Sequence, residues 1–170
     1  MDQKMYLITG LMASGKSTVS ELLASSLEKC VHLRGDVFRK MIVSGREDMS
    51  DPPSEEAVRQ LHLRYRLTAD AAKMYFDSGF SVVIQDNYYG GELNRMLEYL
   101  QGYPVETVVL CPDVETIRER ELHRGKTGYS GFDVETLYDL FMETTPQTGF
   151  WLDSSDQTPQ QTAAAILGRK

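Results

Sequence analysis

Residues Gly10-Leu11-Met12-Ala13-Ser14-Gly15-Lys16-Ser17-Thr18 fit the pattern G-x-x-x-x-G-K-[ST], and no other stretch constrains this chain as tightly. The run before it, Met5-Tyr6-Leu7-Ile8-Thr9, reads as a buried strand. The run after it places Val19, Leu22, Leu23, Ser26 and Leu27 on one helical stripe. Strand, glycine-bounded loop and helix in that order form the context in which the pattern cradles phosphate. Gly10 and Gly15 admit backbone angles that a side chain forbids. The loop N–H groups and the positive end of the helix can then face phosphate oxygens. Gly10, Ala13, Ser14, Gly15, Lys16, Ser17 and Thr18 are the expected contacts to ATP. Lys16 is expected on the β- and γ-phosphates and the Ser17 hydroxyl on Mg²⁺. A glycine- and serine-rich turn that matches by chance is the competing explanation, and the register of both flanking elements weighs against it.

Five apolar runs, residues 5–9, 30–33, 80–85, 105–111 and 149–152, alternate with helical patterns. Runs this apolar suit strands buried on both faces. The alternation predicts βαβ crossovers, hence an α/β fold with a parallel sheet and helices on both sides. Helices are expected over about 37–44, 54–78, 91–101, 113–123, 134–144 and 159–167. The longest is well punctuated: Pro52-Pro53 end the loop before it, Ser54 can cap it, Glu55 and Glu56 suit its positive end, and Gly79 closes it. Val58, Leu61, Tyr65, Ala72 and Phe76 fall near one face, and Arg59, Arg66 and Lys73 fall on the solvated side. The loops at 45–50 and 126–131 are expected to move over the phosphate site, where water has to be excluded. With no repeat or linker, residues 1–170 are expected to form a single domain.

A net charge of −7 disfavours nucleic acid as the main partner. No apolar run approaches ~20 residues, so no membrane span is expected. The start, Met1-Asp2-Gln3-Lys4, lacks a signal peptide's apolar core, and the cytoplasm is the expected compartment. Cys30 and Cys111 sit beside strand-like runs and read as reduced core thiols. His32, His62 and His123 show no metal spacing, and His32 reads as a core residue.

In an open parallel sheet, ligands bind beyond the carboxyl ends of the strands. After the second strand, Asp36 and Arg39 project from the first turn of one helix. A carboxylate there can take the proton of a hydroxyl attacking the γ-phosphorus, and the arginine can hold an acceptor oxygen in a fork. A capping Asp with a surface Arg fits the same residues. After the third strand, Asp86 ends an apolar run, where it can hold the Mg²⁺ hydration shell, bind substrate, or simply cap the next helix. Tyr88 and Tyr89 can wall an acceptor pocket or belong to the core. Arg118, Arg120, His123, Arg124 and Lys126 crowd one stretch ahead of a glycine-rich loop. Arg120 and Arg124 share a helix face and can neutralise charge that spreads over the γ-phosphate in the transition state. Basic residues favoured by a helix C-terminus give the same pattern. Ser154, after the fifth strand, is a candidate adenine contact.

In Gly10 to Thr18, Asp36-x-x-Arg39, Asp86, and Arg120 with Arg124, the chain resembles the small P-loop kinases. It looks most like the group containing chloramphenicol phosphotransferase, the kinase domain of phage polynucleotide kinase, gluconate kinase and zeta-type toxins. The resemblance implies a three-layer fold with a five-stranded parallel sheet in order 2-3-1-4-5. It implies ATP and Mg²⁺ as cofactors, Asp36 as catalytic base, Arg39 as an acceptor contact and Arg120 or Arg124 as lid arginines. The lid would span about 118–131 and the acceptor region about 36–76. The implied reaction moves the γ-phosphoryl group of ATP to a hydroxyl of a small molecule, by resemblance an antibiotic or other metabolite. A nucleoside, nucleotide or sugar acceptor is the alternative within that class. An ATP-hydrolysing switch is the alternative of another class, and Asp36-x-x-Arg39 argues against it.

Overall fold

The computed structural model describes residues 3–123 and 133–169. Strands β1 (Met5–Gly10), β2 (Cys30–Arg34), β3 (Ser81–Gln85), β4 (Val105–Leu110) and β5 (Phe150–Leu152) form one sheet in the order β2-β3-β1-β4-β5. Every pairing is parallel. This is the order implied by the resemblance. The helices are α1 (Lys16–Ser25), α2 (Asp36–Lys40), α3 (Glu55–Asp77), α4 (Gly91–Tyr99), α5 (Val114–His123), α6 (Val134–Thr144) and α7 (Pro159–Leu167).

Alternation along the strands divides the core in two. Met5, Leu7, Val82, Ile84 and Val109 pack with Tyr65, Ala69 and Ala72 of α3, and with residues of α4, α5 and α6. Tyr6, Ile8, Val83, Val108 and Leu110 face the other way, onto Val19 and Leu23 of α1 and Ala163 and Ile166 of α7. Helices therefore cover both faces. The register pairs Ile8 with Gln85, Gly10 with Leu110, and Arg34 with Gln85, so the strand ends rise to one edge. β1 lies between β3 and β4; the chain runs from β1 out to β2 on one side and, after β3, crosses to β4 on the other, the reversal at which a crevice opens beyond the end of β1.

The longest helix forms as its punctuation predicts. The Ser54 hydroxyl accepts from Ala57 N at 3.0 Å. At the far end Gly79 adopts φ +85°, Gly79 N donates to Phe76 O at 2.8 Å and Phe80 N to Tyr75 O at 3.1 Å. The Tyr75 and Phe80 rings meet edge to face, completing a Schellman closure. Tyr65 and Ala72 are buried as expected, joined by Ala57, Thr68 and Ala69. Arg66 lies over the Tyr99 ring of α4 instead of pointing only to solvent.

The helix expected over 37–44 is shorter. After Lys40 only Met41 and Ile42 still donate to helix carbonyls, and the chain then turns away. Val43 is β-branched and Gly45 adopts φ +73°, which no helix continues. Cys30 and Cys111 are free thiols, and burial pushes both above the ordinary thiol range. His32, expected in the core, is only partly buried, and its ring meets Glu21 of α1 at 2.8 Å. Among the described residues no helix is long and apolar enough to cross a membrane.

Candidate active site

The end of β1 can turn only because Gly10 is a glycine. Its φ is +150°, and a Cβ there would fall 2.4 Å from Leu110 O and 2.7 Å from Ser14 Oγ. Ala13 takes a left-handed φ of +64° at the top of the bend, a costly conformation for a side-chain-bearing residue. Ser14 N donates to Leu11 O at 3.1 Å, and Gly15, at φ +94°, is the N-cap of α1. No side chain caps this helix and its first turn holds no acidic residue. The early N–H groups and the positive end of α1 are thus left for an anion. Ser17 and Thr18 are exposed on that turn.

Two cations fold over the loop. Lys16 Nζ donates to Gly10 O at 2.5 Å and Leu11 O at 2.6 Å. Arg120 of α5 donates from Nη1 to Ser14 O at 3.3 Å and from Nη2 to Ser154 O at 3.1 Å. Arg120 therefore ties the phosphate loop to the segment after β5. That segment is fixed by Asp113 N donating to Ser155 Oγ at 2.8 Å. The hydroxyls of Ser14 and Ser154 are buried without a hydrogen-bond partner, an arrangement that awaits a ligand or water. Lys16, Arg120, Ser154 and the loop come together. Arg124, residues 126–131 and the rest of the expected lid beyond His123 lie outside the described residues up to Asp133.

The ends of β2 and β3 meet at Gly35. Gly35 N donates to Gln85 O at 3.1 Å, and a Cβ at Gly35 would fall 2.1 Å from Asp86 Oδ2. This close approach sets Asp86 beside the start of α2. Asp86 is 5% exposed. Its Oδ1 accepts from Arg64 Nη2 at 3.0 Å and from Asn87 N at 2.8 Å. Arg64 Nε lies 2.9 Å from Oδ2, but its N–H is not aimed at that oxygen, so this second contact is ionic only. Burial raises the Asp86 carboxyl, and the charge of Asp36 adds to that. Arg64, the Asn87 N–H and Lys16 pull it back without cancelling the rise.

Asp36 is more open. Arg39 Nε bonds its Oδ1 at 2.9 Å, and Lys40 Nζ lies 2.7 Å from Oδ2. Partial burial pushes this carboxyl up, but the hydrogen bonds from Lys40 and Arg39 outweigh it and hold it below the ordinary carboxylate value. Arg39 also grips Asp48 through Nη1. The arginine expected to hold an acceptor in a fork is thus split between two carboxylates of the chain itself.

Arg64 escaped the sequence analysis. The signal was present: Ala57, Leu61, Arg64, Tyr65, Thr68 and Ala72 fall on one helical stripe, and a cation on a buried stripe needs a buried acid. Tyr88 does not wall a pocket. It is wholly buried, its ring 4.8 Å from that of Tyr65, and its N–H and C=O both bond the Thr9 hydroxyl. A Tyr three residues past a buried strand is still under α3, whose Tyr65 ring packs on it. Among the described residues no cluster of acids, histidines or cysteines can hold a metal alone. Asp86 is held by Arg64, and the exposed Ser17 hydroxyl at the start of α1 would be the side chain to join phosphate and water in holding Mg²⁺.

No curated protein sequence matches the chain. Solved structures do. The tunicamycin resistance protein of Deinococcus radiodurans is 16% identical with a TM-score of 0.75, over 99% of this chain and 98% of that one. Shikimate kinase from Acinetobacter baumannii, solved with shikimate, is 18% identical with a TM-score of 0.66, over 97% and 91%. The APS kinase of Mycobacterium tuberculosis, solved with AMPPNP and APS, is 17% identical with a TM-score of 0.71, over 97% and 95%. The fold is that of P-loop kinases. Residues 5–137, well over half of the chain, match the family AAA_33, described as an AAA domain, and the protein belongs to that family.

Proposed function

We propose that the protein is an ATP-dependent phosphotransferase that moves the γ-phosphoryl group of ATP to a hydroxyl of a small molecule, with Asp36 as general base. One observation carries this: Gly35, next to Asp36, lies against Asp86 at the end of β3, and β3 pairs directly with β1, whose end bends into the loop of Lys16. The loop of Lys16 and the start of α2 at Asp36 thus follow the ends of β1 and of β2, the strands on either side of β3, which supports their acting on one substrate. The likeness to a shikimate kinase and an APS kinase supports the reaction class, and the likeness to a tunicamycin resistance protein supports an antibiotic-like acceptor.

In this scheme the loop N–H groups and Lys16 hold the triphosphate. Lys16 exchanges its two loop carbonyls for phosphate oxygens. Mg²⁺, when bound, neutralises phosphate charge. Asp36, ionised because Lys40 and Arg39 favour its charged form, receives the proton of the acceptor hydroxyl. The new bond forms between that oxygen and the γ-phosphorus as the bond to the ADP oxygen breaks. Arg120 neutralises charge on the transferring group. The protein contributes positioning and electrostatics, with no covalent intermediate.

Two outcomes follow. ATP loss is expected to be slow alone and to accelerate at least ~10-fold with a competent alcohol, as transfer to a positioned hydroxyl requires. Turnover as fast without acceptors as with every one tested would favour an ATP-hydrolysing switch. Arg120→Ala is expected to lower kcat by ~10²–10³-fold, the usual worth of one transition-state charge partner, with a smaller rise in KM for ATP. Steady-state kinetics decide it, since an effect confined to KM would make Arg120 a ground-state contact.

A further inference from the structure

The charges around Asp36 are already balanced from within the chain. Residues 36–76 hold seven basic and seven acidic side chains. The basic groups nearest Asp36 are all engaged: Arg39 with Asp36 and Asp48, Lys40 with Asp36 at 2.7 Å, and Arg64 with Asp86 at 2.9 Å. Arg34, at the end of β2, alternates with Leu33 and so shares the opposite sheet face with Cys30 and His32. The hold of Asp48 on Arg39 is built into the loop. Gln60 of α3 pins that loop from both sides, donating to Gly45 O at 2.8 Å and accepting from Glu47 N at 2.9 Å. Asp48 is thereby presented to the guanidinium.

The same segment exposes apolar surface. Val37 is 46% exposed, Met41 65%, Val43 97% and Met49 50%. Val37 follows Asp36 directly, and Met41 lies four residues on, so both share a side of α2 and its end. Val43 and Met49 stand on the Gln60-pinned loop. Val37 and Met41 thus form an exposed apolar pair on the helix that carries Asp36, the kind of surface an apolar ligand covers.

From these two observations we infer that the acceptor is an uncharged alcohol with an apolar face, and that Asp48 excludes anionic acceptors by occupying Arg39. The inference rests on the phosphotransfer function proposed above and adds the acceptor class. An anionic acceptor would have to displace Asp48 and then lie beside the negative charges of Asp36 and Asp86. A neutral one faces no such repulsion and gains by covering Val37 and Met41. Asp48 is a specificity-determining residue: it acts through Arg39 and need not touch the acceptor.

Calorimetric titration of the full chain, loaded with AMPPNP and Mg²⁺, tests this with two probes: phenyllactate, and the diol made by reducing its carboxylate. The diol is expected to bind more tightly by up to about fivefold, the equilibrium weight of one exposed ion pair. Asp48→Asn, at a side chain 57% exposed where folding is not at stake, should tighten phenyllactate and close that gap. Met41→Ser should weaken the diol and leave AMPPNP binding unchanged. Phenyllactate bound by the unaltered chain as tightly as the diol, an Asp48→Asn ratio that does not move, or no binding of either probe would overturn the inference. Because the titration reads binding alone, failure of the function separates from it. Preferred binding of the diol without any alcohol-driven ATP loss would sink the phosphotransfer assignment and leave the acceptor preference standing.

Discussion

Lys16→Ala is expected to abolish phosphoryl transfer, with kcat/KM falling at least ~10³-fold, beyond the loss of a single neutral hydrogen-bond donor. In the proposed mechanism Lys16, the one charged side chain among residues 10–18, is what brings charge to the β- and γ-phosphates. In the structure it folds onto Gly10 O and Leu11 O, two acceptors that it can release as phosphate enters. The bend itself does not depend on it. Gly10 at φ +150° and Gly15 at φ +94° set the loop, and the Ser14 N to Leu11 O bond closes it. The variant should therefore fold with an intact loop and lack only the charge. Steady-state rates together with thermal unfolding check this. Unchanged kcat in a folded variant would contradict the phosphate-loop assignment.

Asp36→Asn is expected to cut kcat by ~10²–10⁴-fold while ATP binding survives, as for removal of a general base. Asparagine keeps the shape and can still accept from Arg39, but it cannot take a proton. If ATP affinity is lost instead, Asp36 serves the metal. The pH dependence adds a second check. The folded-state pKa of Asp36 lies below its ordinary value of 3.8, so the carboxylate is ionised throughout the neutral range. The acid limb of kcat/KM should lie below that value, and activity should hold level from neutral pH down to about 5. The sign for stability is the same. A depressed carboxyl pKa contributes stability that is fully present above the unfolded-state value and is lost as pH falls through the folded one. An acid limb near neutral pH would instead point to Asp86, whose carboxyl burial has raised.

The parts of the molecule set by local rules were legible in the sequence. The phosphate loop, the Ser54 cap, the Gly79 closure and the positions of the five strands all follow from neighbouring residues, because turn chemistry and side-chain periodicity act over a few positions. The strand order came from resemblance, since no local signal distinguishes β2-β3-β1 from its permutations. What was not legible depends on distant partners. Arg64 and Asp86 are 22 residues apart and meet only when α3 crosses the end of β3. Tyr88 leaves the candidate pocket for the core because Thr9 of β1 holds its backbone from both sides. Arg39 turns to Asp48 because Gln60, on another element, fixes the loop between them. Periodicity identifies Arg64 as a cation on a buried stripe, but which acid receives it is settled by the packing of helix on sheet.

On the proposed function, the bend after β1 holds the triphosphate of a nucleotide with Lys16 as its charge partner. Calorimetric titration with AMPPNP and Mg²⁺ tests it most directly: one site per chain is expected, with binding weakened severely by Lys16→Ala and retained by Asp36→Asn. No heat of binding to the unaltered, folded chain, or equal binding by Lys16→Ala, would contradict it.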